Sequence, residues 1–203
     1  EVLLMEDLVI IEKEGVKISE INEGEYRLSH TSAFAAATPK NGEQDARVET
    51  LCDVASALFH EISRLEQLKK VYGIVNDIYD FGLPNVIPVL VVNAVMHGNK
   101  YDHSKSVSVL YTHEEPNADS KKGKFTFTVS DQGPGFDYRA LRRAARDARS
   151  TSRTFNNYRS SSQIPDNSLG RGLFELLEYA TGVRWNKTGN EVKVTKCMKS
   201  LSG

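Results

Sequence analysis

Three short runs hold the residues best suited to chemistry: NAVMHGNK at Asn93–Lys100, DQGPGF at Asp131–Phe136 and GRGL at Gly170–Leu173. Asn93 offers a side-chain oxygen, a suitable ligand for a hard cation that also gathers phosphate oxygens. Asp131 follows the alternating run Phe125–Val129, so its carboxylate stands at a strand end and can accept a charge-assisted bond from an amine. Gly133 and Gly135 let a backbone turn pass close to a flat ligand, where a Cβ would clash. Gly170 and Gly172 precede an apolar run beginning at Leu173, and free N–H groups at a helix start form an anion site. No Gly-Lys-Ser/Thr follows, so this is not a Walker A loop. Arg171 and Lys100 can each meet a phosphate or face solvent. His97 sits beside them, although a single helical histidine is more simply structural. Each run is weak alone: DQGPG also reads as a surface turn, and an asparagine at a helix end also reads as a cap.

The elements that must position these residues follow from periodicity. DLVIIEKEG, VKISEI and YRLS read as short strands separated by turns at Gly15 and NEGE. Ser32–Asn41 is Ala-rich and reads as a loop or a short helix. From Asp45 to Phe81 apolar residues recur at three and four, which predicts amphipathic helices with a break near Ser63. Phe81-Gly82-Leu83-Pro84 reads as their stop. Asn85–His97 reads as a helix with Pro88 in its first turn. Ser106–Thr112 and Lys124–Ser130 alternate as strands. Gly172–Ala180 reads as a helix, and Arg184–Asn186 with Glu191–Lys196 as a closing hairpin around Thr188-Gly189-Asn190. The order predicts an α+β two-layer sandwich with a mixed, mainly antiparallel sheet and helices on one face.

The chain has 203 residues, 39 % hydrophobic and 26 % charged, with a net charge of -1. These values suit one full-sized domain, or one with a small extension, and argue against general nucleic-acid binding. Residues 1–60 carry 12 acidic and 5 basic side chains, so the cationic excess lies later. Seven arginines fall between Arg139 and Arg159, either a solvated helix and loop or a phosphate-steering surface. Cys52 and Cys197 show no metal spacing and read as free thiols. There is no apolar run long enough for a membrane helix, and a cytoplasmic location is expected.

In combination and in this order, the three runs resemble the N, G1 and G2 boxes of the superfamily that contains gyrase, Hsp90, histidine kinases and MutL. NAVMHGNK, DQGPGFD, LGRGLFELLEYATG and GNEVKVTK are most similar to the anti-sigma-factor serine/threonine kinase branch. The resemblance runs from Arg64 to Lys196 and implies a Bergerat-type ATP-binding fold. It implies that residues 61–203 form the ATP domain, with a lid at about 137–169, and leaves 1–60 as an accessory segment of unknown role. It also implies that Asp131 accepts from the exocyclic amine of adenine and that Asn93 ligates Mg²⁺. ATP would be held by Asn93, His97, Lys100, Asp131, Gly133, Gly135, Gly170, Arg171, Gly172 and Leu173. Asn99 would sit near the nucleotide beside His97, and Phe136 either packs beneath the base or belongs to the core. Asn190 stands where the branch often has a threonine that joins a water network to adenine.

One departure concerns catalysis. The branch carries a glutamate base four residues before the N-box asparagine, and here that position is Val89. Valine takes no proton, so no catalytic residue is assigned. The resemblance implies a nucleotide-dependent regulator that binds a sigma factor or a STAS-type anti-anti-sigma protein, possible as a homodimer, with phosphoryl transfer in doubt. Two alternatives stand beside it: a non-catalytic ATP-binding interaction module, and the ATP-binding part of a histidine kinase with His60 as phosphoacceptor. The 37 residues from Asp45 to Phe81 leave little room for the helical hairpin that last reading needs.

Overall fold

In the computed structural model, the structure describes residues 8–37, 46–63, 83–114, 122–139, 176–177 and 180–199. Among these residues, seven strands form one sheet: β1 (Leu8–Lys13), β2 (Val16–Asn22), β3 (Glu25–His30), β4 (Val107–Glu114), β5 (Lys122–Ser130), β6 (Gly182–Trp185) and β7 (Glu191–Lys199). Their order is β1-β2-β3-β4-β5-β7-β6, and every pairing among the described strands is antiparallel.

Alternation in the sequence sets which face is buried. On β4, Val107, Val109 and Tyr111 point into the core, while Leu110 and Thr112 are exposed. Phe125, Phe127 and Val129 continue that face on β5, and Val192 and Val194 on β7. Among the described residues, two long helices cover it: α2 (Ala46–Ser63), through Leu51, Val54, Leu58 and Ile62, and α3 (Leu83–Asn93), through Ile87, Leu90 and Val91. The three-to-four spacing on α2 produces this single buried stripe. The chain is therefore an α+β two-layer sandwich.

Residues 1–60, expected as an accessory segment, supply β1–β3 and most of α2. β3 pairs with β4 through Tyr26↔Val109 and Leu28↔Val107, so this meander extends the same sheet and shares its core. The Ala-rich segment forms a short helix, α1 (Ser32–Ala36), capped by Thr31, whose Oγ1 accepts from Phe34 N at 3.2 Å.

Two sequence expectations are corrected here. Leu83 and Pro84 open α3, which therefore starts before the expected Asn85; whatever precedes Leu83 back to Arg64 lies outside the described residues. At the second helical position Pro84 lacks an N–H that would have had no intrahelical partner anyway. Pro88 then lies inside α3, past the first turn, where its missing N–H removes one bond to the carbonyl four residues back. Burial within the apolar layer holds the helix through that gap. The predicted helix after Ser63, the Arg139–Arg149 helix beyond its first residue and most of the lid lie outside the described residues. Of the predicted Gly172–Ala180 helix, only Leu176 and Leu177 are described as helical. No helix among the described residues is long and apolar enough to cross a membrane.

Candidate functional site

Helix α3 does not simply stop after Asn93. It widens into a π-helical turn, Ala94–Gly98, closed by Asn99 N donating to Ala94 O at 2.8 Å. Such a turn inserts one residue into the helical register, a feature that tends to mark functional sites. Here it brings Gly98 against the end of β5. A Cβ on Gly98 would fall on the Asp131 carboxylate, and one on Gly133 would overlap the Gly98 carbonyl oxygen. The N-box backbone and the Asp131 loop are thus in contact at two glycines, and any side chain would push them apart.

Between these elements lies a cavity of about 190 Å³. Its sheet wall is one cross-strand row, Val129 on β5, Val192 on β7 and Trp185 on β6, joined by the pairs Val129↔Val192 and Trp185↔Val192. Its helical wall comes from Leu90, Asn93, Ala94 and His97. Asp131, Gly135 and Phe136 close one side with Gly189 and Asn190 of the β6–β7 turn. The volume is below the ~300–1,000 Å³ of a complete drug-sized site and suits one flat base better than a whole nucleotide. Gly170, Arg171, Gly172 and Leu173, expected at the phosphate end, lie outside the described residues.

The Asp131 carboxylate is half-buried. Its Oδ1 accepts from Gly133 N at 2.8 Å. Burial holds its pKa above the ordinary aspartate value, opposed by the Gly133 N–H and by the charge of Lys105. The loop after it interlocks with the β6–β7 turn. Asp131 N donates to Asn190 O at 2.9 Å, and Asn190 Nδ2 returns a bond to Asp131 O at 3.1 Å. Asn190 Oδ1 accepts from Asn186 Nδ2 at 2.8 Å and Thr188 Oγ1 at 2.5 Å. Gly135 and Gly189 have φ of 77° and 86°, and a Cβ on either would meet a backbone carbonyl of the facing loop, Thr188 or Phe136. The Asn190 side chain is thus committed to holding the two loops together. Asn190→Ala is expected to lower stability by about 1–2 kcal/mol, the net loss from these bonds, read as an earlier midpoint in chemical denaturation with an unchanged slope.

Asn93 faces the same cavity from the end of α3 and makes no capping hydrogen bond with its side chain. Its amide oxygen is therefore not committed to the helix end. His97 lines the rim, and desolvation there lowers its pKa, so it is neutral near pH 7. Lys100 is exposed with φ of 56° and is not in the cavity lining. Phe136 is 48 % exposed and lines the cavity, which favours a ligand contact over a core role. Val89 lies one helical turn before Asn93 on α3, whose sequence LPNVIPVLVVN contains no carboxylate. Among the described lining residues the acidic ones, Asp131 and Glu191, flank the β5–β7 junction, where Glu191 accepts from Ser130 Oγ at 3.1 Å.

Sequence reasoning placed Asn99 near the nucleotide and missed Gly98 and Trp185 as parts of this site. Asn99 is 1 % exposed; its Oδ1 accepts from Gln132 N at 2.8 Å and its Nδ2 donates to Ser106 O at 3.0 Å. Trp185 stacks on Tyr138 at 5.6 Å and 13°, a contact that only the folded sheet reveals.

The residues present fit an adenine nucleotide with its metal. A desolvated carboxylate accepts an amine, glycine-flanked backbone flattens one wall, apolar side chains cover the base faces, and an asparagine oxygen is available for a cation. No curated protein matches the chain. Residues 90–196, more than half of it, match the histidine kinase-like ATPase domain, and the match includes Asn93, Asp131 and the third glycine box. The chain belongs to that ATP-binding family, with its Bergerat-type fold.

Proposed function

We propose that this protein is an ATP-binding regulator of the anti-sigma-factor serine/threonine kinase kind, which engages partner proteins according to its nucleotide state and transfers phosphate weakly or not at all. The observation that carries the ATP reading is the Asp131 carboxylate, desolvated in the cavity and pressed against Gly98 and Gly133. Asp131 would hold the adenine amine, Gly133 and Gly135 would let the loop lie close to the base, and Asn93 would ligate Mg²⁺. When bound there, the ion would supply positive charge that offsets the phosphates. Partners of the expected chemistry are a sigma factor and a STAS-type anti-anti-sigma protein, and assembly as a homodimer fits this kind of regulator.

Val89 supports the limit on catalysis. A base placed one turn before the metal ligand would face an attacking hydroxyl, and a valine cannot take its proton. Phosphoryl transfer depends chiefly on positioning and charge, so a slow residual reaction is compatible with this site. The same observation favours, as a second reading, a purely non-catalytic module in which nucleotide stabilises one conformation. With γ-labelled ATP and candidate partners, wild type is expected to transfer little label. Val89→Glu is expected to raise transfer by about 10²-fold, within the ordinary range for a general base. Wild-type transfer at about 1–100 turnovers per second, typical of protein kinases, would sink the proposal.

A further inference from the structure

The helix-end segment after the π turn is strained. Lys100 and Tyr101 are consecutive non-glycine residues in the left-handed region, with φ of 56° and 57°. Such a pair persists only where its surroundings hold it. From below, the turn is tied to its own helix by Tyr101 N donating to Val95 O at 3.0 Å. From outside, it is gripped by the N-terminal part of the chain, which precedes the family-matched residues 90–196. The Arg47 guanidinium of α2 lies 3.9 Å from the Tyr101 ring centroid, a close cation–π contact. Arg47 Nη1 also donates to Ala35 O of α1 at 3.0 Å, and the α1 residue Phe34 sets its ring 6.3 Å from Tyr101.

Directly before the strained pair stands Asn99, buried, with its amide bonded to Gln132 N and Ser106 O. Ser106 N in turn donates to Gln132 Oε1 at 2.7 Å. Gln132 is the neighbour of Asp131, and Gly98, before Asn99, packs on the Asp131 carboxylate. A continuous line of contacts therefore runs from Arg47 through Tyr101 and Asn99 to the loop that carries Asp131.

We infer that Arg47 is a positioning residue for the nucleotide site: its clamp on Tyr101 fixes the left-handed turn that seats Asn99 in the Asp131 loop. The N-terminal strands and helices thus tune nucleotide affinity in addition to widening the sheet. A protein that drew Arg47 away from Tyr101 would loosen the base end of the cavity. This inference rests on the reading of that cavity as a nucleotide site, so its test carries one readout that needs no nucleotide.

The experiment compares wild type with Arg47→Ala, Arg47→Lys and an Arg27→Ala control on the exposed side of β3. Amide hydrogen exchange at Gln132 and Gly133 is measured without nucleotide, and ADP and ATP affinities are measured by calorimetry. Arg47→Ala is expected to speed exchange at those two amides, leave the β4–β5 amides protected, and weaken ADP and ATP by the same factor, about three- to tenfold, the scale of one partly desolvated cation–π contact. Equal factors point to the base end, because a phosphate-end defect falls more heavily on ATP. Arg47→Lys keeps a cation near the ring and is expected to fall between the two. Arg27→Ala is expected to match wild type. If Arg47→Ala does not fold, Arg47→Gln takes its place with the same expectations. Wild-type exchange at Gln132 and Gly133 in the folded variant overturns the inference, as do wild-type affinities in a protein that binds nucleotide. If wild type binds no nucleotide, the proposed function fails, and the exchange rates alone decide whether Arg47 positions the loop.

Discussion

Asp131→Asn is expected to weaken ATP binding by about 10- to 100-fold, the worth of a hydrogen bond to a charged group, while leaving the protein folded. The substitution is nearly isosteric. Asn keeps an Oδ1 that can accept from Gly133 N, so the loop bond at 2.8 Å survives. It replaces the second carboxylate oxygen with an N–H donor, which would face the donor amine of adenine. The apo protein is not expected to lose stability. Burial raises the Asp131 pKa, so ionisation of this group opposes folding. Its contribution to stability is full below the ordinary aspartate pKa and is lost as pH rises through the raised value. At neutral pH the asparagine removes that cost, and the melting temperature of the variant should equal or exceed that of wild type. Binding has the opposite sign. The amine favours the ionised carboxylate, so wild-type affinity should fall as pH drops through the raised pKa. His97 gains its proton at acid pH and adds positive charge at the rim. The Asp131→Asn variant carries that His97 effect alone, so the difference between the two pH profiles isolates the carboxylate.

Gly133→Ala should be more damaging to the fold and at least as damaging to binding. Gly133 does not occupy the left-handed region, so its requirement is purely steric. The new Cβ would overlap the Gly98 carbonyl oxygen and lie 2.9 Å from Asp131 Oδ1. The obstructing atom is backbone, held by the π turn, so no flexible side chain can swing aside. Either the Asp131 loop or the π turn must move, and both form the cavity. Overpacking of this kind costs about 1–3 kcal/mol, read from denaturant midpoints, and nucleotide affinity should become undetectable by calorimetry. Gly182→Ala is the control. Among the described residues its Cβ would meet only Thr195 Cβ at 3.9 Å, an ordinary contact, so stability and binding should both match wild type.

Local chemistry made much of this molecule legible. The alternation in VKISEI and YRLS, with turns at Gly15 and Gly24, marks strands that the structure contains. The three chemical runs fall, where described, at a helix end and at a strand end. What could not be read was longer in range. Leu83-Pro84 carries the same signal as a stop and as a first turn, so the local pattern alone does not place them in α3. The π turn sets Gly98 against Asp131, residues 33 positions apart in sequence. That β3 pairs with β4 is a register between segments far apart in the chain, which no local pattern encodes. Arg47 reads as an ordinary first-turn arginine of an amphipathic helix until Tyr101 appears beneath it.

The most direct test of ATP binding in this cavity is calorimetric titration of folded, nucleotide-free protein with ATP, with and without Mg²⁺, beside Asp131→Asn. Saturable one-site binding that Mg²⁺ tightens and the substitution removes is the expected result. No heat of binding from the folded wild type, or equal binding by wild type and Asp131→Asn, would contradict it and leave the fold as a scaffold for protein contacts alone.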